Sequence, residues 1–163
     1  MNKQSFPATY TDQQEIEADA QELIQVCIFE LSDRLFGLSI FDVQEILERA
    51  IITPVPTTPD FLLGVINLRG DIVPVADIRD VLSLPVKPWT RESRIMILNV
   101  KNIRIGILVD AIKEVRRIEK RILEAEVVQA GISDGKFIAN ILQYADGFLV
   151  LLNLDHLYHV IQL

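Results

Sequence analysis

The chain has 163 residues, half of them apolar, and its 23 acidic and 16 basic side chains give a formal net charge of −7. A globular chain of this length buries roughly 70% of its unfolded surface, so it can fold without a metal or disulfide. The acidic balance argues against a nucleic-acid partner, because that affinity depends on clustered Lys and Arg. The single cysteine, Cys27, excludes an internal disulfide and a cysteine-rich zinc site.

The first residues lack the apolar core of a signal peptide, and no apolar run reaches the ~18 residues that a membrane span needs. We therefore expect a cytoplasmic protein that does not insert into the membrane.

Residues 1–22 differ in composition from the rest of the chain. They contain five acidic residues and one lysine, so they account for −4 of the net charge and leave −3 for residues 23–163. This composition predicts a mobile acidic tail before a folded domain at 23–163. A solvated extension without specific contacts is the simpler interpretation of the tail.

From Leu23 onwards the chain consists of short apolar segments separated by turn residues, which is the pattern of antiparallel hairpins. The turns contain residues that tolerate positive φ. The predicted strand pairs are 24–31 with 35–40, 61–68 with 72–75, 94–100 with 103–109, and 137–144 with 148–152.

Helical signals are few and short. Asp42 to Glu45 has the sequence of a capping box and predicts about two helical turns there. Asp77 is expected to cap a helix at 78–82, and Asn153 a final helix with one apolar stripe. The segment 85–89 is interpreted as a linker between the two halves of the chain.

The two halves resemble each other in spacing and in the order of their elements. Gly37 is followed eight positions later by Glu45, and Gly106 is followed eight positions later by Glu114. Each pair lies in a strand–helix–hairpin–helix series. This repeat predicts two small β-barrel subdomains that pack through a common apolar layer.

An enzyme needs a converging nucleophile, base and polarising donor, and the sequence offers little of this kind. His156 and His159 share one helical face but have no clear third metal ligand nearby. Cys27 lies in an apolar strand and is expected to be a buried structural thiol. No glycine-rich phosphate loop occurs. We therefore expect no catalysis, no metal and no cofactor.

One basic run stands out, and three glutamates dilute it. Its members are Lys113, Arg116, Arg117, Lys120 and Arg121. A solvated face is the simpler interpretation, and a docking surface for an acidic partner is the functional alternative.

The loop Asn67-Leu68-Arg69-Gly70 ends an apolar strand with a guanidinium, an amide and a glycine that can adopt positive φ. Arg69 is either an ordinary surface charge or one half of an ion pair that fixes a recognition loop. Glu45 is the candidate partner, although the predicted capping box already gives it a role.

Several segments together resemble the CheW family, the coupling proteins of bacterial chemotaxis arrays. They are Phe36–Leu38, Val43–Ile46, Pro59–Asp60, Gly64–Gly70 and Ile72–Arg79. The resemblance extends from about Leu23 to the C-terminus. It implies a mainly β fold of two intertwined five-stranded SH3-like barrels with short helices and a C-terminal helix, in agreement with the repeat.

The resemblance also implies a function, a non-catalytic scaffold that joins two partners at membrane-associated receptor arrays. These are the cytoplasmic tip of a chemoreceptor (a methyl-accepting chemotaxis protein) and the regulatory domain of a CheA-type histidine kinase. It implies a functional Glu45–Arg69 ion pair. The partner-binding positions that it implies are Val43, Glu45, Gly64, Asn67, Leu68, Arg69, Gly70, Ile112 and Val115.

Other interpretations remain open. A coupling protein of a type IV pilus or gliding motility pathway would use the same binding chemistry. The coupling half of a longer scaffold would normally carry a receiver domain, and no such segment occurs here. A small-molecule-binding or hydrolytic β-barrel would need a polar pocket with convergent titratable groups.

Asn140 and Asn153 depart from the family pattern, and Asn153, where aspartate is usual, is a conservative change of the helix cap. Asn140 stands where the family commonly has glycine, and we expect asparagine to tolerate left-handed backbone there but to alter receptor docking. No arginine occupies the loop around Ala145 that corresponds to Arg69, so the two barrels are expected to have different partners.

Overall fold

A computed structural model describes residues 22–123 and 135–161, so all but Glu22 of the predicted tail lies outside the described residues. The described chain is mainly β. Its strands are β1 Leu23–Leu31, β2 Arg34–Ser39, β3 Val43–Leu47, β4 Leu62–Leu68, β5 Asp71–Ala76, β6 Arg94–Val100, β7 Ile103–Val109, β8 Ala111–Glu119, β9 Ile138–Tyr144 and β10 Gly147–Leu152. Its α-helices are α1 Ile78–Val81, α2 Lys120–Leu123 and α3 Leu154–Ile161, with 3₁₀ turns at Ile40–Asp42 and Gly135–Phe137.

The strands form two five-stranded sheets that exchange elements between the halves of the chain. The first barrel has the order β3-β6-β7-β5-β4 and the second has the order β8-β1-β2-β10-β9. The hairpin β1–β2 therefore completes the second barrel, and the hairpin β6–β7 completes the first. This exchange confirms the prediction of two intertwined five-stranded barrels, and the four predicted hairpins are all present.

The predicted repeat has a physical basis in the two repeat glycines. Gly37 pairs in parallel with Leu151, and Gly106 pairs in parallel with Val75, so each glycine lies where hairpins from different halves meet. A Cβ atom on Gly37 would lie 2.8 Å from side-chain carbons of Leu151 and Val26. A Cβ atom on Gly106 would lie 3.0 Å from Ile95. Close packing of the junction therefore favours glycine at both positions.

The helix predicted from the capping box at residues 42–45 is wrong. A 3₁₀ turn ends at Asp42, its cap is the Ser39 hydroxyl, and Val43 begins β3. Strand β3 pairs with β6 in the first barrel, from Val43 opposite Leu98 onwards. These ladder hydrogen bonds and the burial behind them outweigh a local capping preference. Glu45 is consequently a strand residue, and its carboxylate has no capping role.

The other predicted helices are present. The Asp77 carboxylate accepts a hydrogen bond from the Arg79 amide at 3.1 Å and caps α1. The Asn153 side chain accepts from the His156 amide at 3.2 Å at the start of α3. The segment 85–89 contains no helix or strand, as expected of a linker.

A shared apolar layer joins the barrels, as the repeat predicted. It contains Cys27 and Phe29 from β1, Leu98 from β6, Ile107 from β7 and Leu157 from α3, all essentially buried. Separate smaller clusters fill each barrel. The Cys27 thiol is fully buried, and this burial raises its pKa above the usual range. Cys27 is therefore a packing residue with an unreactive thiol.

A buried ion network links the two halves beside this layer. Arg79 in α1 has only 2% of its surface exposed. Its guanidinium donates through Nε and Nη2 to Asp77 at 2.9 Å, and through Nη1 to Asp110 at 3.0 Å. Asp110, between β7 and β8, also accepts from the Ser32 amide in the β1–β2 turn at 2.6 Å. One arginine thus ties together segments from both halves.

Candidate functional site

The structure brings Glu45 and Arg69 together at the open edge of the first barrel. Glu45 lies on β3 and Arg69 follows β4, and these are the two edge strands of the sheet. Nη2 of Arg69 lies 2.8 Å from both carboxylate oxygens of Glu45. The ion pair therefore spans the gap that the strand ladder leaves open.

The turn that carries Arg69 is built by its neighbours. Arg69 and Gly70 form a two-residue turn with φ of 50° and 91°, and the Asn67 side chain accepts a hydrogen bond from the Gly70 amide at 2.9 Å. Leu68 is buried and anchors the end of β4. These three residues hold the backbone so that 69% of the Arg69 side chain is exposed, against 25% for Glu45.

An ion pair with this exposure contributes about 0.2–1 kcal/mol to stability, because water screens it and two side chains lose rotamer freedom. The ion pair therefore adds little to stability, and its main effect is to hold the Arg69 guanidinium in a fixed position at the surface. A second ion pair joins Arg104 of β7 to Asp71, the residue that follows Gly70 at the start of β5.

Two exposed apolar side chains near this site were missed by sequence reasoning. Phe41 in the 3₁₀ turn before β3 is 88% exposed, and Ile72, which pairs with Asn67 across the hairpin, is also exposed. Their apolar character predicts a buried position, and no local pattern in the sequence marks them as exposed. Exposed apolar groups beside a fixed charge are typical of protein-binding surfaces.

Gly64 and Val43 have internal roles as well as their implied binding role. Gly64 lies on β4 with φ of +149°, where Thr53 pairs across it with Val65. A Cβ atom on Gly64 would lie 2.2 Å from the Thr53 carbonyl oxygen. Val43 is half-buried and packs against the shared layer.

We predict that Gly64→Ala lowers the free energy of unfolding by about 2 kcal/mol or more, since only glycine tolerates this backbone and the new methyl group collides with Thr53. Urea unfolding followed by circular dichroism measures the change. The matched control is Gly147→Ala, whose Cβ would meet no atom within 4 Å. Equal stability of the two variants contradicts the prediction.

The second barrel closes its open edge with different residues. Glu114 on β8 corresponds to Glu45, and its carboxylate accepts a hydrogen bond from the Tyr144 hydroxyl at 2.6 Å. The Arg116 guanidinium lies 4.9 Å from the centre of the Tyr144 ring. Ala145, with φ of 49°, occupies the turn position that Arg69 occupies in the first barrel. The hydrogen bond to Glu114 is the main cause that raises the pKa of Tyr144.

The expectation of left-handed backbone at Asn140 is wrong, because Asn140 is not among the described residues with positive φ. Its buried side chain instead donates to the Ile122 carbonyl at 2.7 Å and accepts from the Ile141 amide at 2.8 Å. In the first barrel the corresponding hydrogen bonds run directly between Thr53 and Val65. The amide of Asn140 is therefore inserted where the first barrel has direct backbone pairing.

Ile112 and Val115 lie on β8 in the second barrel, away from the Glu45–Arg69 pair. Ile112 is half-buried and packs against the shared layer. Val115 pairs with Cys27, whose side chain lies in the same layer, and is 51% exposed. Val115 is thus available at the rim of the layer, whereas Ile112 is partly committed to packing.

The described residues contain no group of three or more His, Cys, Asp or Glu side chains placed to hold a metal ion. His156 contacts the Phe137 ring edge-on at 4.7 Å between centroids, and His159 neighbours Tyr158. None of the helices in the described segments is both long and apolar enough to cross a membrane.

The chain thus folds as a double-barrel module, with two interlocked five-stranded barrels around a shared core. Its exposed ion pair and exposed apolar side chains are features suited to binding other proteins. Residues 25–162 match the model of the CheW-like domain, so this chain belongs to the CheW-like family.

Relatives and a solved structure agree with this membership. The chain is 33% identical to the chemotaxis protein CheW of Thermotoga maritima over 66% of this chain and 70% of that protein. It is 28% identical to the chemotaxis protein CheW of Rhizobium meliloti over 82% of this chain and 86% of that protein. The crystal structure of the scaffolding protein TtCheW from Thermoanaerobacter tengcongensis has a TM-score of 0.74 and 32% identity, covering 81% of this chain and 90% of that one. The SH3-like character predicted for the barrels is confirmed by this likeness.

Proposed function

We propose that this chain is a chemotaxis coupling scaffold that joins chemoreceptor cytoplasmic tips to the regulatory domain of a CheA-type histidine kinase. Its relatives are named chemotaxis proteins, and its structural neighbour is described as a scaffolding protein. The site geometry supports binding, because the charged and apolar groups described above are exposed on a rigid β framework.

The observation that carries the kinase contact is the exposed Arg69 side chain, held by Glu45 and by a turn with fixed backbone. A guanidinium that is already oriented loses little freedom when it binds a carboxylate or carbonyl of a partner. The end of the first barrel therefore docks against the kinase regulatory domain in this proposal.

The receptor contact is assigned to the rim of the shared layer, where Val115 is exposed on β8. An apolar stripe on a receptor helix binds a groove between the barrels. Receptor signals change kinase activity through contacts that differ between two states of the assembly. Each interface is small, and repetition in a membrane-associated array strengthens the whole by multivalency.

Reconstitution tests this function. The purified chain is mixed with the cognate kinase and with vesicles that carry the chemoreceptor, and kinase phosphorylation and co-sedimentation are measured. We expect kinase to sediment with the receptor and to be activated only when this chain is present. Kinase that sediments and is activated equally without the chain overturns the proposal.

We predict that Val115→Asp weakens binding to the receptor tip at least about tenfold, which is about 1.4 kcal/mol, because a charge replaces an apolar contact at the rim. Kinase binding and thermal stability should change little, since Val115 is half exposed. Ile112→Asp is the comparison, and its partial burial predicts lost stability. If Val115→Asp weakens binding to both partners equally and also lowers the melting temperature, Val115 is a packing residue and the prediction is contradicted.

The alternative pathways receive less support. Coupling in pilus or gliding motility would use the same chemistry, but the relatives above are named for chemotaxis. For a small-molecule-binding barrel, the candidate site is an open groove of about 620 Å³ on the second barrel. Its lining includes the apolar residues Leu35, Ile141, Phe148 and Val150 and the titratable residues Asp33, Arg34, Tyr144 and Asp146. Asp33 is paired with Lys87 and the Tyr144 hydroxyl with Glu114, so these two groups already have partners within the protein.

A further inference from the structure

The open edge of the second barrel forms a groove of about 510 Å³ between β8, α2 and β9. Its floor is apolar and its rim on β8 is basic. The floor residues are Ile118, Ile122, Leu142 and Leu149, and the rim residues are Arg116 and Arg117. The Asn140 side chain contributes to this opening, because its amide lies between Ile122 and β9 where the first barrel has direct backbone hydrogen bonds.

The charges at this groove favour an acidic ligand. No ion pair among the described residues involves Arg117, and 55% of the Arg116 side chain is exposed. The Glu114 carboxylate accepts a hydrogen bond from the Tyr144 hydroxyl and forms an ion pair with Arg116. The Glu119 carboxylate, which also lines the groove, forms an ion pair with Arg121. The nearby carboxylates are thus engaged. Arg117 has no ion pair among the described residues, and Arg116 remains about half exposed beside Glu114 and the Tyr144 ring.

The N-terminal segment of the same chain arrives at this rim. Leu23, the first residue of β1, lines the groove and is half exposed. The preceding residue, Glu22, accepts a hydrogen bond at its carbonyl from the Lys120 amide at 2.8 Å, and its carboxylate lies 3.4 Å from Lys120 Nζ. The described chain therefore begins, at Glu22, next to α2 and the basic end of β8.

The sequence of this segment matches the groove. Four acidic residues lie between positions 12 and 19, and one apolar residue, Ile16, stands between Glu15 and Glu17. Ile16 is seven residues from Leu23, which allows a reach of up to about 23 Å. A tethered segment also has a local concentration of about millimolar, so even weak contacts are populated.

We propose that residues 12–21 bind in cis across this groove, with Ile16 on the apolar floor and the flanking carboxylates against Arg116 and Arg117. The bound segment covers the basic part of β8, so an acidic partner must displace it to reach that surface. The proposal is independent of the coupling function, since it depends only on the groove and on the composition of the segment.

Paramagnetic relaxation in the full-length chain tests the contact. A nitroxide is attached at Gln14→Cys, because the native thiol, Cys27, is fully buried and stays unlabelled. We expect amide signals of Ile118, Ile122 and Leu142 to lose most of their intensity. Arg116→Glu/Arg117→Glu should restore these signals, whereas Arg49→Glu/Arg91→Glu, an equal charge change at exposed residues near the first barrel, should not.

A second substitution tests the apolar contact without changing the charge of the segment. Ile16→Ser removes the apolar side chain proposed to lie on the floor, and it should restore the same signals. Intensities that are unaffected by the label, or that stay low in both Arg116→Glu/Arg117→Glu and Ile16→Ser, overturn the proposal. Broadening that appears only when labelled chain is mixed with isotope-enriched unlabelled chain assigns the groove to a second copy and overturns binding in cis.

Discussion

Arg79→Leu is expected to lower the free energy of unfolding by about 3–5 kcal/mol, the cost of breaking a buried ion pair from one side. The Arg79 guanidinium is almost fully buried, and its removal leaves the Asp77 and Asp110 carboxylates without their cation. The hydrogen bond to Asp77, followed by the charges of both carboxylates, raises the pKa of Arg79, so its guanidinium stays positively charged at any physiological pH.

Calorimetric or urea unfolding measures this loss, and the melting temperature should fall by about 9–15 °C, since about 1 kcal/mol corresponds to about 3 °C at this chain length. Arg91→Leu is the matched control, because it removes an exposed arginine. In an Asp110→Asn background, where one stranded charge is absent and the acceptor for Ser32 remains, Arg79→Leu should cost at least about 1 kcal/mol less. Equal costs in both backgrounds contradict a coupled network.

The hairpins, α1 and α3 could be predicted because their signals are local. Alternating apolar residues, turn residues with positive φ and the cap residues Asp77 and Asn153 all act within a few positions of the element they specify. The spacing of Gly37 to Glu45 and of Gly106 to Glu114 extended this information to the repeat. The registers of both glycines then confirmed it.

The errors arose where distant pairing decides the structure. Asp42 to Glu45 carries a good capping sequence, but pairing with β6, about 50 residues away, makes Val43 to Leu47 a strand. The Arg79 network unites α1, the β7–β8 junction and the β1–β2 turn, and no local pattern reveals it. Exposure of Phe41 likewise depends on tertiary neighbours.

The candidate site was partly accessible to sequence reasoning. A guanidinium and an amide beside Gly70 indicated a shaped loop with Glu45 as a candidate partner, and the resemblance to the CheW family implied a functional ion pair between Glu45 and Arg69. The structure then showed the contact itself. The role of Asn140 was misjudged because its backbone was considered alone, whereas its side-chain amide links Ile122 to β9.

The same positions serve the two barrels differently. The first barrel joins its edges by the Glu45–Arg69 ion pair and by backbone pairing at Gly64. The second uses the Glu114–Tyr144 hydrogen bond and the inserted amide of Asn140. A duplicated framework thus presents a fixed cation at one end and an apolar groove with a basic rim at the other, which suits two different ligands.

Charge reversal at the first of these ends should have the largest functional effect. Arg69→Glu is expected to weaken binding to the kinase regulatory domain at least about tenfold, which is about 1.4 kcal/mol. The fold should lose no more than about 1 kcal/mol, because the pair is exposed. Isothermal titration with the kinase domain measures the affinity, and Arg49→Glu, with the same charge change at an exposed residue, is the control.

The doubly reversed variant Glu45→Arg/Arg69→Glu separates the two roles of the pair. It restores opposite charges across the barrel edge, so stability should return to that of the unsubstituted chain. Binding should stay weak, because Arg69 is the more exposed member of the pair and its positive charge is the group that forms the proposed kinase contact. Recovery of full affinity in the double variant would contradict this expectation. It would show that the ion pair acts only by holding the turn, because recognition would then not depend on which of the two positions carries the positive charge.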